Sequence, residues 1–83
     1  MAQIVRTPQQ IAAAVRRRRR GLGLSQAGLG EQTKLRQATI SAIEGGAPGT
    51  RLDTLCDIFA ALDLEFVVRP RTKAKPAAIE DVF

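Results

Sequence analysis

Residues 24 to 45, Leu-Ser-Gln-Ala-Gly-Leu-Gly-Glu-Gln-Thr-Lys-Leu-Arg-Gln-Ala-Thr-Ile-Ser-Ala-Ile-Glu-Gly, constrain this chain more than any other stretch. They read as two short helices joined by a tight turn, with Leu29, Leu35, Ile40 and Ile43 spaced so that one helix braces the other. Gly30 falls one turn into the first helix, where only a small residue lets the second cross closely. Ile40 and Ile43 share an inner stripe at i, i+3 spacing. That leaves Gln37, Ala38, Ser41 and Ala42 facing outward. An outward face of amide, hydroxyl and methyl groups on a short helix suits the edges of base pairs.

Charge supports that reading. The 83 residues carry a formal net charge of +5, and its distribution is uneven. Residues 1–51 hold nine Arg or Lys against Glu31 and Glu44, whereas residues 52–83 hold four against six acids. Cations gathered on the half with the paired helices are the pattern that phosphate neutralisation requires. The length allows one domain, and no apolar run could span a bilayer or serve as a secretion signal. Cys56 stands alone, which rules out an internal disulfide; its place in an apolar helical stripe predicts a buried small hydrophobe. With no His, Tyr or Trp and no Cys/His set, neither catalysis nor a metal site is supported, and no cofactor is implied. Gly21-Leu22-Gly23 is too short for a phosphate loop. The acidic pairs Asp53/Asp57 and Glu80/Asp81 read as solvated faces. A cytoplasmic, non-enzymatic protein is expected, nucleoid-associated when on DNA.

The remaining elements follow from local signals. Thr7 is a good N-cap, Pro8 suits the first helical turn and Gln10 completes a capping box. Ile11 and Val15 continue an apolar stripe toward Arg16–Arg20, and cations at a helix C-terminus are favoured by its dipole. Five consecutive side chains spread by about 100° each cannot all face one way. Gly21 and Gly23 end that helix, and Ser25 caps the next. Arg36 offers no cap chemistry at the start of the outward-facing helix, and a cation there is sensible only with an anion nearby. Residues 45–49 form a loop, with Thr50 as the cap of a further helix. In it Leu52, Leu55, Cys56, Phe59 and Leu62 take core spacing. Leu64-Glu65-Phe66-Val67-Val68-Arg69 reads as a strand that Pro70 stops, with Leu64, Phe66 and Val68 on one face. A lone strand is an open edge, and pairing with the same strand of a second copy closes it. Residues 72–78 have a composition that cannot pack. Beyond them Ile79, Val82 and Phe83 are candidate anchors for a partner. The expected fold is therefore mainly α: a small bundle of four to five helices with a C-terminal strand pairing across a homodimer. Residues 1–70 form the domain, with the dimerising strand at 64–69, and 71–83 form a flexible tail.

Ser25-Gln26, Leu29-Gly30, and Gln37-Ala38-Thr39-Ile40-Ser41 with Glu44 resemble the Cro/phage-repressor (XRE-type) helix-turn-helix family. Over residues 4 to 69, including Thr7-Pro8-Gln9-Gln10, the Leu52–Leu62 helix and the Leu64–Val68 strand, the chain resembles HipB-type antitoxins. Lys34 stands where that family usually has Gly, so a left-handed backbone there would cost on the order of 1 kcal/mol. Arg18 takes a usually apolar position and its stem must run along the core edge. Thr33 replaces a usual Ala or aliphatic residue.

The resemblance implies base contacts from Arg36, Gln37, Ala38 and Ser41, and phosphate contacts from Arg19, Gln26, Thr39 and Lys34. It further implies a dimer built on Leu64, Phe66 and Val68, an inverted-repeat operator in double-stranded DNA, and a HipA-like toxin kinase as partner of an autoregulating repressor. A stand-alone regulator of the same fold and an adaptor that has lost DNA binding are the alternatives.

Overall fold

A computed structural model of the chain describes residues 3–71. Four helices follow one another: α1 (Pro8–Gly21), α2 (Gln26–Thr33), α3 (Gln37–Glu44) and α4 (Leu52–Ala61). α3 packs against both α1 and α2, and α2 also packs against α4. Val15 of α1, Leu29 of α2, Ile40 and Ile43 of α3, and Ile58, Phe59 and Leu62 from the α4 region form the buried core. Ile11, Leu24, Leu35, Leu55 and Leu64 pack around it.

The helix starts follow the expected cap chemistry. Thr7 Oγ1 accepts from the Gln10 backbone N–H at 3.1 Å, and Ser25 Oγ accepts from that of Gly28 at 2.9 Å. The Gln10 side chain reaches one residue further back than a reciprocal capping box requires, accepting from the Arg6 N–H instead of that of Thr7. The cap expected at Thr50 is corrected by one position. Arg51 occupies the N-cap of α4, with no side-chain cap bond, while the Thr50 hydroxyl turns back to the Ala47 carbonyl.

The turn between α2 and α3 is the tightest joint. Lys34 adopts the left-handed conformation, φ 60° and ψ 32°. The Leu35 N–H bonds back to the Gly30 carbonyl at 2.9 Å and the Lys34 N–H bonds to that of Glu31, a Schellman closure normally built on glycine. A Cβ on Gly30 would lie 2.7 Å from the Leu35 carbonyl oxygen and 3.7 Å from the Gln37 nitrogen. Close approach of the turn backbone is therefore what the glycine allows. The Thr33 hydroxyl is satisfied within α2 by the Leu29 carbonyl at 2.8 Å.

Three expectations for the second half need correction. Leu52 is 69% exposed and Cys56 is also exposed. The buried stripe of α4 runs instead through Leu55, Ile58, Phe59 and Leu62, the same i, i+3, i+4, i+7 spacing in a rotated register, which puts Cys56 on the outer flank. The strand expected at 64–69 is not formed, and residues 64–71 have no regular secondary structure. A ladder needs a second backbone, and among the described residues none pairs with this segment. Leu64 is half-buried on the core, and the Phe66 ring stacks on Phe59 with centroids 4.2 Å apart. Val68, by contrast, is 99% exposed. The tail anchors Ile79, Val82 and Phe83 lie outside the described residues.

The turn generates a paired prediction for urea unfolding. Gly30→Ala should destabilise by about 1–3 kcal/mol through overpacking against backbone, and Lys34→Gly should stabilise by up to about 1 kcal/mol. An unchanged midpoint for Gly30→Ala would contradict the close approach.

Candidate nucleic-acid interface

The outer face of α3 is assembled by burial of its inner one. Ile40 is fully buried and Ile43 nearly so, and this leaves Gln37, Ala38, Ser41 and Ala42 exposed on the opposite side. Arg36, at the N-cap of α3, is exposed and makes no side-chain cap bond. Lys34 is exposed in the preceding turn, and Thr39 is half-buried. An open cleft runs between α3 and the start of α4, lined by Arg36, Thr39, Thr50, Arg51 and Thr54 among others. Two helix N-termini with arginine at the N-cap thus border one cleft, whose floor also includes Ala38, Ala42 and Ile43. Arg51, Thr50 and Thr54 line this candidate site without having been expected there from the sequence. A cation at an N-cap without capping chemistry marks Arg51 in the sequence just as it marks Arg36.

Arg19 is not part of this surface. Expected on a DNA phosphate, it is only 7% exposed, and its guanidinium is held inside the fold. Its Nε donates to Glu44 Oε2 at 2.6 Å and its Nη2 to Glu44 Oε1 at 2.9 Å, a two-pronged ion pair between α1 and α3. Its Nη1 donates to the Leu24 carbonyl at 2.7 Å. The physical reason is spacing. Arg19 follows Ile11 and Val15 at i+8 and i+4, on the inner stripe of α1, and Glu44 follows Ile40 at i+4 on the inner stripe of α3. Two opposite charges brought to one buried place pair with each other.

The rest of the arginine run divides its work. Arg16 Nη1 donates to the Glu44 carbonyl at 3.1 Å and Arg18 Nε to the Leu62 carbonyl at 2.9 Å. These two side chains therefore meet the C-terminal ends of α3 and α4, where cations are favoured. Arg17 Nη1 donates to Gln3 Oε1 at 3.2 Å, and Arg20 is exposed. Gln26, expected on a phosphate, is half-buried, and its Nε2 donates to Glu44 Oε1 at 3.3 Å. The carboxylate of Glu44 therefore orients the Gln26 amide as well as the Arg19 guanidinium.

Burial alone would push the Glu44 carboxyl up. The hydrogen bonds from Arg19 and Gln26, with the charges of Arg19 and Arg16, outweigh that and hold it below the usual range. A carboxyl depressed in the folded state contributes stability that is complete above its unfolded value, about 4.3. That contribution is lost as pH falls through the lower folded value. Glu44→Gln should remove this part of the acid dependence. It should also cost about 3–5 kcal/mol at neutral pH, because the Arg19 charge is left buried without a partner. Urea unfolding of both proteins at neutral and acid pH measures both effects, and a variant with full neutral stability would contradict the buried pair.

The helix-turn-helix family HTH_3 matches residues 15–68. A structure of a HipB variant in complex with an O2 20mer superposes with a TM-score of 0.78 at 32% identity, covering 90% of this chain and 100% of that one. A HipB–O4 20mer complex gives a TM-score of 0.77 at 31% identity, covering 89% of this chain and 100% of that one. A HipA–HipB–O2–O3 complex gives 0.78 at 32%, covering 87% and 100%. No curated protein matches the chain. With two closely packed helices joined by a left-handed turn, an exposed polar face on the second, and these neighbours along most of its length, the chain belongs to the XRE-type helix-turn-helix family of DNA-binding regulators, beside the HipB antitoxins.

Proposed function

We propose that this protein is a dimeric, sequence-specific repressor that lays α3 in the major groove of an inverted-repeat operator, and that it is the antitoxin of a HipA-like kinase, repressing its own operon. The observation that carries the reading is the α3 face. Gln37, Ala38 and Ser41 are exposed together on a helix whose other side is locked into the core, beside the exposed cation Arg36. Gln37 can bond an adenine edge with both amide groups, Ala38 can meet a thymine methyl and Ser41 can serve either base type. Arg36 reaches guanine or the adjacent backbone from the helix start.

Phosphate contacts set the register of such a complex without reading sequence. Lys34 in the turn, Thr39 at the cleft and Gln26 at the start of α2 are the residues for that task. Gln26 suits it because one amide hydrogen is fixed by Glu44 and the other stays available. Arg51 and exposed Arg20 join them in place of Arg19.

Dimerisation is supported by apolar surface that a lone copy leaves open. Phe66, Val67 and Val68 are 45%, 72% and 99% exposed, and Leu52 and Cys56 on α4 are uncovered as well. Pairing of the 64–69 segments across a two-fold axis would cover Val68 and supply the ladder that Leu64, Phe66 and Val68 alternate to build. The HipA-like partner is supported by the likeness to a HipB chain solved together with HipA, and a pull-down with such a kinase tests it separately.

The DNA-reading claim is tested by selecting duplexes from a randomised pool with the full chain. The enriched site should be an inverted repeat with half-site centres about 34–36 Å apart or a multiple of that. Gln37→Ala should then lose about 1–3 kcal/mol on that site and little on random duplex. Equal losses on both DNAs would remove Gln37 from the base-reading role, and a single half-site footprint at every protein concentration would overturn the dimer.

A further inference from the structure

Arg51 borders the cleft between α3 and α4 that it shares with Arg36, Thr39, Thr50 and Thr54, yet its guanidinium already holds an anion of this chain. Its Nε donates to Asp53 Oδ1 at 3.1 Å and its Nη2 to Asp53 Oδ2 at 2.8 Å, and both side chains are largely in solvent, 80% and 65% exposed. Asp53 is itself anchored, because its Oδ1 also accepts the Thr54 N–H at 2.8 Å in the first turn of α4. A carboxylate and a phosphodiester offer a guanidinium fork the same two-oxygen edge. The Nε–Nη2 edge cannot grip both at once, and a phosphate at the remaining Nη1 edge would meet the Asp53 charge beside it.

We propose that Asp53 is an internal competitor for the DNA phosphate taken by Arg51, so that duplex binding exchanges the Arg51–Asp53 pair for an Arg51–phosphate pair. The proposal rests on the DNA-binding reading above and adds a residue that tunes it. The placement has a local cause. A cation at the α4 N-cap opposes the helix dipole, an acid in the first turn suits it, and the pair neutralises both in the free protein. Exposed pairs of this kind are weak, so Asp53 tunes the contact and does not block it. The effect falls on a contact to the backbone and therefore lowers affinity for all duplexes alike, leaving base discrimination to α3. It also lowers the salt dependence, since a guanidinium already neutralised by Asp53 displaces fewer counterions than a free one.

The test uses the full-length chain and the duplex that it enriches from a randomised pool, titrated by fluorescence anisotropy across a range of salt. Asp53→Asn keeps the first-turn acceptor and should tighten binding by about two- to fivefold. It should also steepen the slope of log K against log salt by up to about 0.9. Both changes should largely vanish in an Arg51→Ala background. Asp57→Asn, which removes the same charge one turn further along the same helix, should change neither by a comparable amount. Equal gains with and without Arg51, or an Asp57→Asn gain as large as that of Asp53→Asn, would overturn the exchange while leaving the DNA-binding reading intact. A chain that enriches no duplex at all would sink both.

Discussion

The buried ion pair between Arg19 and Glu44 is the interaction on which the rest of this small structure depends. Its two prongs join α1 to α3, the third donor of Arg19 fixes the Leu24 carbonyl ahead of α2, and Glu44 also takes the Gln26 amide at the start of α2. Three helices are thereby referred to one point. Removing two charges from water is costly, and it is tolerable here because the three guanidinium nitrogens and both carboxylate oxygens each find a partner. Among the described residues no buried side-chain nitrogen or oxygen is left without one. An apolar pair of similar volume could fill the space, but it would not specify the angle at which α3 leaves the core, because apolar contact lacks direction. A helix that reads base edges needs its orientation fixed, and directed bonds supply that.

The five arginines show how little a charge run says by itself. Neighbouring side chains on a helix point about 100° apart. Arg16 and Arg18 therefore reach the ends of two different helices, Arg19 goes inside, and Arg20 faces solvent. Two of the five, Arg16 and Arg18, gather helix C-termini. The exposed cations that the proposed function assigns to a nucleic-acid partner are scattered instead through Lys34, Arg36 and Arg51, at the turn and at the starts of α3 and α4. On that proposal, positive charge on the first half of the chain serves folding and recognition together.

The elements whose signals are local were legible in the residues. The capped starts at Thr7 and Ser25, the bracing set of Leu29, Leu35, Ile40 and Ile43, and the constraint on Gly30 all depend on neighbours within a turn or two, and the structure contains each of them, with Leu35 half-buried at the core edge. What escaped depended on register or on distant partners. Leu52 and Cys56 share one apolar spacing with Phe59, and Ile58 shares another; only docking of α4 against α2 selects between them. Arg19 and Glu44 are 25 positions apart in the chain, and each looks like a surface charge until both stripes are placed on the same interior. The segment at 64–69 alternates like a strand, but alternation describes a face, and a ladder needs a second backbone. For the exposed face of α3 the position of Gln37, Ala38 and Ser41 was readable, whereas the partnership of Arg36 with Arg51 across one cleft required the fold.

The most direct test of this account follows the Arg19 Nε proton by nuclear magnetic resonance in the intact protein, with and without duplex DNA. A guanidinium sealed between Glu44 and the Leu24 carbonyl should give a separate Nε–H signal, slow to exchange with water at neutral pH. That signal should stay in place when DNA is added, while the Arg36 and Arg51 signals shift. An Arg19 Nε–H that exchanges as freely as those of exposed arginines, or that moves with DNA as Arg36 does, would contradict the claim that this charge holds the fold together.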